Sequence, residues 1–514
     1  MAQPIEHTVQ APPAIEDVYP LTPLQAGMLF HTLYAPGAQV YVNQYVFSLR
    51  GGPDAAALRS AWQEVLGRHP VLRTVFLWES LDRPLQVVHR GATLPWAERD
   101  WRSLPRDAQR SELKGYLEAD RERGFDLTEP PLMRVALLRM ADDEWELVWS
   151  YHHLLFDGWS IGLILRDVFA LYEASLRGTG PALPRTRPYR DYVAWLQQRD
   201  MSEAEGFWRG TLEGFTAPTP LGIDRAAGGE PDGEPSFGYV ERLLPAGTTA
   251  ALHRFARRQR LTASTLWQGA WGVLLSRYSG EEDVVFGATV SGREAGLAGM
   301  DAMVGLFINT LPVRLEARGG ARVGECLERL QAQQVEARQY DYSSLQQVQK
   351  WSGVPAGQPL FESIVVFENH PVWDEVGGGE NGFRVEGWDR VGRSHYPLTL
   401  SVLPGERTSL RLAYDRRRVE GEAVERMAGH LQTLLEALAG DAGRRLAEVP
   451  LLPDAERRQL LEAWHGPEVG FGGEPLVHEM VRAQALRTPH ATALVAADES
   501  LTDAELDRAA NRRA

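Results

Sequence analysis

Two adjacent histidines, His152 and His153, are followed after a short apolar step by Asp157 and Gly158. Ahead of them, Trp145, Leu147, Trp149, Tyr151 and His153 alternate with Glu146, Val148, Ser150 and His152, which predicts a strand that ends in the histidine pair. Phe156 to Trp159 then reads as a tight turn, with Gly158 lacking a Cβ, before an apolar-periodic helix that starts near Ser160. An imidazole at a strand end beside a helix N-terminus suits acyl transfer. It can take a proton from an attacking amine while nearby backbone N–H groups stabilise a developing oxyanion. The plainer alternative is a pair of strand-end histidines hydrogen-bonded to backbone, with no chemistry of their own. A metal site is disfavoured, because neighbours on a strand point to opposite faces and no further His or carboxylate stands at helical spacing to complete a set.

The elements that must position this constellation are legible in part. Thr22 to Tyr34 has helical periodicity, and Tyr41 to Leu49 alternates as a strand. Asp54 can cap a helix carrying Leu58, Ala61, Trp62 and Val65 on one face, and Val71 to Leu77 reads as a strand. Pro- and Gly-rich connectors are expected at Gly178 to Pro188 and Ala217 to Ser236, and again at Gly377 to Gly382. No phosphate-binding Lys-Ser/Thr follows the Gly377-Gly378-Gly379 run, which is read as a loop. There is also an internal echo: Ser150 to Gly158 resembles Ala413 to Gly421, each followed by a helix. In that register Ile161, Leu165, Val168 and Tyr172 correspond to Val424, Ala428, Leu431 and Leu435, which predicts two like-folded lobes with the histidine pair only in the first.

Composition narrows the partners. At 514 residues with 44% hydrophobic content, the chain can bury several cores. A formal charge of -15 opposes long-range attraction to nucleic acid or anionic membranes, leaving small molecules or proteins as partners. Cys326 stands alone, so no internal disulfide or Cys-built zinc site can form, as fits a reducing cytoplasm. Met1 to Asp17 has no basic region followed by an apolar run, and no later segment is apolar for the length of a bilayer, so a soluble protein is expected.

The string His152-His153-Leu154-Leu155-Phe156-Asp157-Gly158-Trp159-Ser160 resembles the His-His-x-x-x-Asp-Gly-Trp-Ser signature of nonribosomal peptide synthetase condensation domains. Three more segments are similar to that family's, in its order. They are Arg68 to Phe76 (departing at Pro70, where Glu is common), Tyr189 to Trp195, and Val304 to Thr310. The resemblance covers roughly Val18 to Pro450. It implies an α/β fold of two chloramphenicol-acetyltransferase-like lobes in a V, spanning 18–180 and 181–450 after a lead at 1–17, with the active site in a tunnel between them. Residues 451–475 look like the linker that follows such domains, with Leu460, Leu461 and Trp464 able to anchor it. Residues 476–514 resemble the start of an adenylation domain, Leu501 to Leu506 lying near its usual Leu-Thr-Tyr-x-Glu-Leu, cut off before the nucleotide-binding loop, so no use of ATP is expected.

By the same resemblance His153 is the catalytic residue, orienting or deprotonating an acceptor amine as it attacks a donor thioester. Both roles stay open, because an α-amino group with a pKa of roughly 7.7–8.0 is already partly neutral near pH 7 and positioning alone can supply much rate. His152 is a supporting residue. Asp157 is read as structural, capping backbone donors or pairing with an arginine, with Arg293 as first candidate and Arg73 as second. Gly158 either offers its N–H to the oxyanion or simply permits the turn, Trp159 is a wall of the tunnel, and Ser160 is a helix cap. Asn309 either contacts substrate or fastens a loop.

The chain is expected to bind no cofactor of its own, substrates arriving on the 4'-phosphopantetheine arms of an upstream donor carrier and a downstream acceptor carrier. The opening Tyr19 to His31 resembles domains that take a donor ending in a D-residue, and with Met1 as the native start that donor carrier is expected on a separate polypeptide. Epimerization domains usually continue their motif with Val-Ser-Trp-Arg, unlike Trp159-Ser160-Ile161-Gly162, and heterocyclization domains carry aspartates at the histidine positions. A starter domain taking a fatty acyl donor and a catalytically silent carrier-binding module are the remaining rivals.

Overall fold

A computed structural model describes residues 14–35, 37, 39–225, 237–293, 296–368, 382–464, 476–496 and 499–512. The chain forms two compact units, Met1–Leu451 and Leu452–Ala514. The first begins with β1 (Ile15–Pro20), α1 (Pro23–Tyr34), β2 (Val42–Gly51), α2 (Ala55–Arg68), β3 (Thr74–Leu77), β4 (Leu85–His89), β5 (Trp96–Asp100), α3 (Arg106–Arg123), β6 (Met133–Arg139), β7 (Glu144–His152) and α4 (Gly158–Arg177). It continues with α5 (Tyr189–Gln197), α6 (Ser202–Thr211), β8 (Phe237–Leu243), α7 (Ala246–Gln259), α8 (Ala263–Ser279), β9 (Asp283–Val290), β10 (Asn309–Glu316), α9 (Val323–Ala337), α10 (Leu345–Trp351), β11 (Ser363–Phe367), β12 (Phe383–Val391), β13 (Leu398–Leu403), β14 (Ser409–Asp415) and α11 (Gly421–Gly440).

Two mixed sheets organise this unit into two α/β lobes. The first sheet runs β12-β2-β7-β6-β5 and the second β10-β9-β11-β13-β14-β8, while β1, β4 and β3 form a smaller sheet. In the first lobe the alternation of β7 sends Leu147, Trp149 and Tyr151 into a core with Trp62 of α2 and Ile161, Ile164, Leu165 and Val168 of α4. Each such fully buried aliphatic side chain stabilises by about 1.5–3 kcal/mol relative to exposure. Thr22 caps α1 by accepting from the Gln25 N–H, and Asp54 caps α2 by accepting from Ala57.

The internal echo has a structural counterpart. Strands β7 and β14 end at His152 and Asp415, five-residue turns follow, and helices of 20 residues start at Gly158 and Gly421. Val424, Ala428, Leu431 and Leu435 are buried as their counterparts in α4 are. Arg416 takes the place of His153.

Several expectations need correction. Strand β1 begins inside the stretch read as a lead, and Pro70–Arg73 forms a 3-10 turn, so only Thr74–Leu77 of the expected Val71–Leu77 strand is extended. Residue 180 is not a clean lobe boundary: α5 packs into the first core through Tyr189, Tyr192 and Val193, and β12 pairs antiparallel with β2 from Phe383↔Gly51 to Val391↔Gln44. The Gly377-Gly378-Gly379 run lies outside the described residues, as does most of the expected connector before Ser236.

The second unit holds the helices Asp454–Arg458, Val477–Arg487 and Asp503–Asn511, and a strand pair, Thr492–Val495 with Ser500–Thr502. Thr502 and Glu505 form a reciprocal capping box on its last helix. Leu460, Leu461 and Trp464, expected to anchor the linker, are exposed.

Candidate active site

His153 directly follows β7, and two hydrogen bonds fix it. Its backbone N–H donates to the Tyr41 carbonyl at 2.8 Å, and its ring Nδ1 lies 2.8 Å from the Phe156 carbonyl oxygen. A carbonyl only accepts, so Nδ1 carries the proton and the lone pair is on Nε2. Burial lowers the His153 pKa below its ordinary value, although the Phe156 hydrogen bond and the Asp157 charge oppose that shift. The ring is therefore neutral at pH 7, with a free base at Nε2. His152 is a different case: it is buried, its Nδ1 accepts from the Leu154 N–H at 3.3 Å, and its Nε2 is buried without a partner. Burial, and secondarily the neighbouring His153, push its pKa down to about 3.

Asp157 is the N-cap of α4 and is fully buried. Oδ1 accepts from the Ser160 N–H at 3.0 Å and from Arg293 Nη2 at 3.1 Å, and Oδ2 accepts from the Phe307 N–H at 2.9 Å. Burial alone would raise this carboxyl; the Arg293 guanidinium and the Phe307 and Ser160 donors outweigh it and hold the pKa below the usual carboxylate value. Arg293 also donates to the carbonyls of Met300 and Met303 at 2.6 and 2.9 Å and lies 4.1 Å above the Phe307 ring. Gly292 lets it do so. That residue has φ +62, and a Cβ there would meet the Phe307 carbonyl oxygen at 2.0 Å.

Arg73, the second candidate for pairing with Asp157, sits elsewhere. It binds Glu16 at 2.7 Å, the carbonyls of Leu66 and Gly67 at 3.2 Å each, and that of His89. Ser160 lies inside α4 rather than capping it, its Oγ within 2.9 Å of both Asp157 Oδ1 and the Gly305 carbonyl and accepting from Gly305 N–H at 3.1 Å. Gly158 is the first residue of α4, outside the left-handed region, and Trp159 beside it is half-buried. Asn309 fastens a loop: its amide donates to the carbonyls of Asp341 and Ser343 at 2.7 and 2.6 Å.

Three of the four motif segments thus serve as scaffold for the fourth. Arg68 and His69 both reach Asp167 of α4, at 2.8 and 3.0 Å. Tyr189 donates to the Leu306 carbonyl at 2.5 Å, and its ring lies against Gly305, where a Cβ would come within 2.2 Å. The loop so held offers Gly305 and Phe307 to the Asp157 turn, the Asp157 N–H donating to the Gly305 carbonyl at 3.1 Å. Sequence reasoning missed Tyr41, whose partner His395 lies 354 positions away, beyond the reach of any local pattern. Among the described residues no group of three or more His, Cys, Asp or Glu is placed to hold a metal ion, and no helix is long and apolar enough to cross a membrane.

The Condensation domain family matches residues 15–461. Linear gramicidin synthase subunits B and C of Brevibacillus parabrevis are 43% and 41% identical over 501 residues, covering 97% and 98% of this chain. The chain spans only 10% and 6% of those relatives' lengths. Among solved structures, a four-domain nonribosomal peptide synthetase bound to AMP and glycine has a TM-score of 0.74 at 19% identity, covering 98% of this chain and 39% of its own. The first condensation domain of the calcium-dependent antibiotic synthetase, in complex with a substrate analogue, has a TM-score of 0.72 at 18% identity, covering 85% of this chain and 100% of its own. The last two comparisons establish the fold, and the first three the kinship: the chain belongs to the condensation-domain family of nonribosomal peptide synthetases, the acyltransferases that form their peptide bonds.

Proposed function

We propose that this chain joins two carrier-bound acyl groups through an amide bond at His153. The observation that carries the reading is the Nδ1 contact to the Phe156 carbonyl, which leaves Nε2 as the acceptor on a neutral ring. The acceptor's amine nitrogen attacks the donor's thioester carbonyl carbon, and the carbonyl electrons move onto oxygen. As the tetrahedral species collapses, the C–S bond breaks, the donor arm leaves as a thiol, and the proton lost by nitrogen passes to sulfur. Nε2 either takes that proton in transit or holds the amine in line for attack. His152 supports the turn by accepting the Leu154 N–H, and Asp157 with Arg293 holds the turn and the start of α4 at Gly158 and Trp159.

Both substrates arrive on 4'-phosphopantetheine arms, and the chain needs no cofactor or metal of its own. The donor ends in a D-residue and is delivered by an upstream carrier. The acceptor is an L-residue on a downstream carrier, and residues 476–514 open an adjoining adenylation domain. Support for the donor's stereochemistry is the run Tyr19 to His31, and support for a reducing, cytoplasmic setting is the single buried thiol, Cys326.

The test is a mass-spectrometric condensation assay with a loaded peptidyl carrier and a loaded aminoacyl carrier, run on the parent and on His153→Ala. Amide product from the parent, reduced on the order of 10²–10⁴-fold in a folded variant, is the expected result. A product made equally well by His153→Ala would refute the assignment. A parent that binds carriers yet makes no product with matched D-, L- or fatty acyl donors would identify a silent module.

A further inference from the structure

We propose that Tyr41 and His395 form a positioning pair through which the segment after β12 holds His153 in place. This rests on the reading of His153 as the catalytic residue. Tyr41 is attached at three points. Its carbonyl accepts the His153 N–H at 2.8 Å, its N–H donates to the Arg393 carbonyl at 2.9 Å, and its phenol hydrogen-bonds His395 Nδ1. Its ring also lies edge-on to that of His152, 6.5 Å between centroids. Both histidines of the motif therefore touch this one residue.

Tyr41 has φ +68, a conformation rare for a bulky side chain that persists only where the surroundings over-determine it. The surroundings here are two backbone hydrogen bonds, the core in which the ring is buried and the phenol bond, and Tyr41→Phe removes the last alone. Without it the residue is freer to relax towards ordinary extended geometry, which turns the very carbonyl that holds His153. His395 is itself secured. Its ring stacks on His31 of α1 at 3.8 Å between centroids and 14° between planes, and Tyr396 packs 3.9 Å away. Burial raises the Tyr41 phenol well above its ordinary pKa, so its O–H donates and His395 Nδ1 accepts. Burial, and secondarily His31, push His395 down to about 3, so the accepting form is present throughout the neutral range.

The experiment compares Tyr41→Phe, His395→Leu and His395→Asn in the full chain. The Asn Oδ1 stands close to where imidazole Nδ1 does and can accept the phenol proton. Steady-state kinetics with both loaded carriers would be read beside Tm and the ring resonances of His153, assigned among the chain's 13 histidines by their loss in His153→Gln. The expected result is a fall in kcat of about 10–100-fold for the Phe and Leu variants, the scale of a small misplacement of a reacting group, with KM within twofold. His395→Asn recovers most of that loss, and the His153 resonance moves in the Phe and Leu variants alone. Unchanged kcat in Tyr41→Phe, a loss carried by KM, or an Asn variant as impaired as Leu would overturn the pair. Should the parent not condense at all, the reading of function falls, and the resonance still decides the positioning: an unmoved His153 signal in folded Tyr41→Phe overturns it.

Discussion

Replacing Asp157 by Asn separates the structural role of this carboxylate from a chemical one. Its side chain is fully buried, and that of Arg293 is 6% exposed. An amide oxygen in the Oδ1 position would keep the Ser160 contacts, but the NH₂ would then face the Phe307 N–H, donor against donor, and Arg293 would lose its countercharge. A buried donor left unsatisfied costs about 1–3 kcal/mol, and a buried ion pair broken from one side about 3–5 kcal/mol. The two share a site and do not add, so the expected loss is about 3–5 kcal/mol, a large part of a typical folding stability of about 5–15 kcal/mol. Urea denaturation of the parent, Asp157→Asn, Arg293→Met and the double variant measures it. The double variant should recover much of the loss, because removing both charges leaves neither stranded. If Asp157→Asn unfolds within about 1 kcal/mol of the parent and yet makes no product, the carboxylate acts in the chemistry and the structural argument is wrong.

Two further predictions concern stability. His152 and His395, each with a pKa near 3 in the folded chain against about 6.5 unfolded, make the unfolded state bind more protons as the medium is acidified. Stability is therefore full above pH 6.5 and falls below it. The loss between pH 6.5 and 5 is on the order of 1–2 kcal/mol for each histidine by proton linkage. Thermal scans across that range should show a decline in Tm that shrinks in a folded His395→Asn variant; an equally steep decline would count against a neutral His395. Gly305→Ala would drive a Cβ to 2.2 Å from the Tyr189 ring and displace the loop that binds Asp157, costing about 1–3 kcal/mol of overpacking in a denaturant titration. An unchanged midpoint would show that the loop does not need this close approach.

The surroundings of His153 were legible in the sequence wherever a local period governed them. Alternation from Trp145 to His153 gave β7, and the apolar spacing after Ser160 gave α4. The turn and the capping and arginine-pairing roles of Asp157 follow the sequence, whereas Ser160, also read as a cap, lies inside the helix, because a serine at a helix start and an aspartate three residues earlier give similar local signals. The Arg293 partnership was reachable only through the resemblance, since 136 positions separate it from Asp157. What escaped altogether joins distant segments: β1 lying on β4, β12 completing the first sheet, and the contact from Tyr41 to His395. No local periodicity encodes which strand a strand will meet.

The crossing of β12 also bears on where this chain can be cut. The stretch from Gly178 to Pro188 is mostly exposed and looks like a natural splice point between the lobes. A protease that nicks it would still leave two fragments buttoned together, since the second lends eight residue pairs of β12 to the sheet of the first. The same feature penalises grafting. A chimera that takes its first half from one synthetase and its second from another inherits a foreign seam along β2, a foreign Phe307 loop under Asp157, and a foreign partner for Tyr41. Exchange of the whole stretch from Ile15 to Leu451 keeps all three seams native.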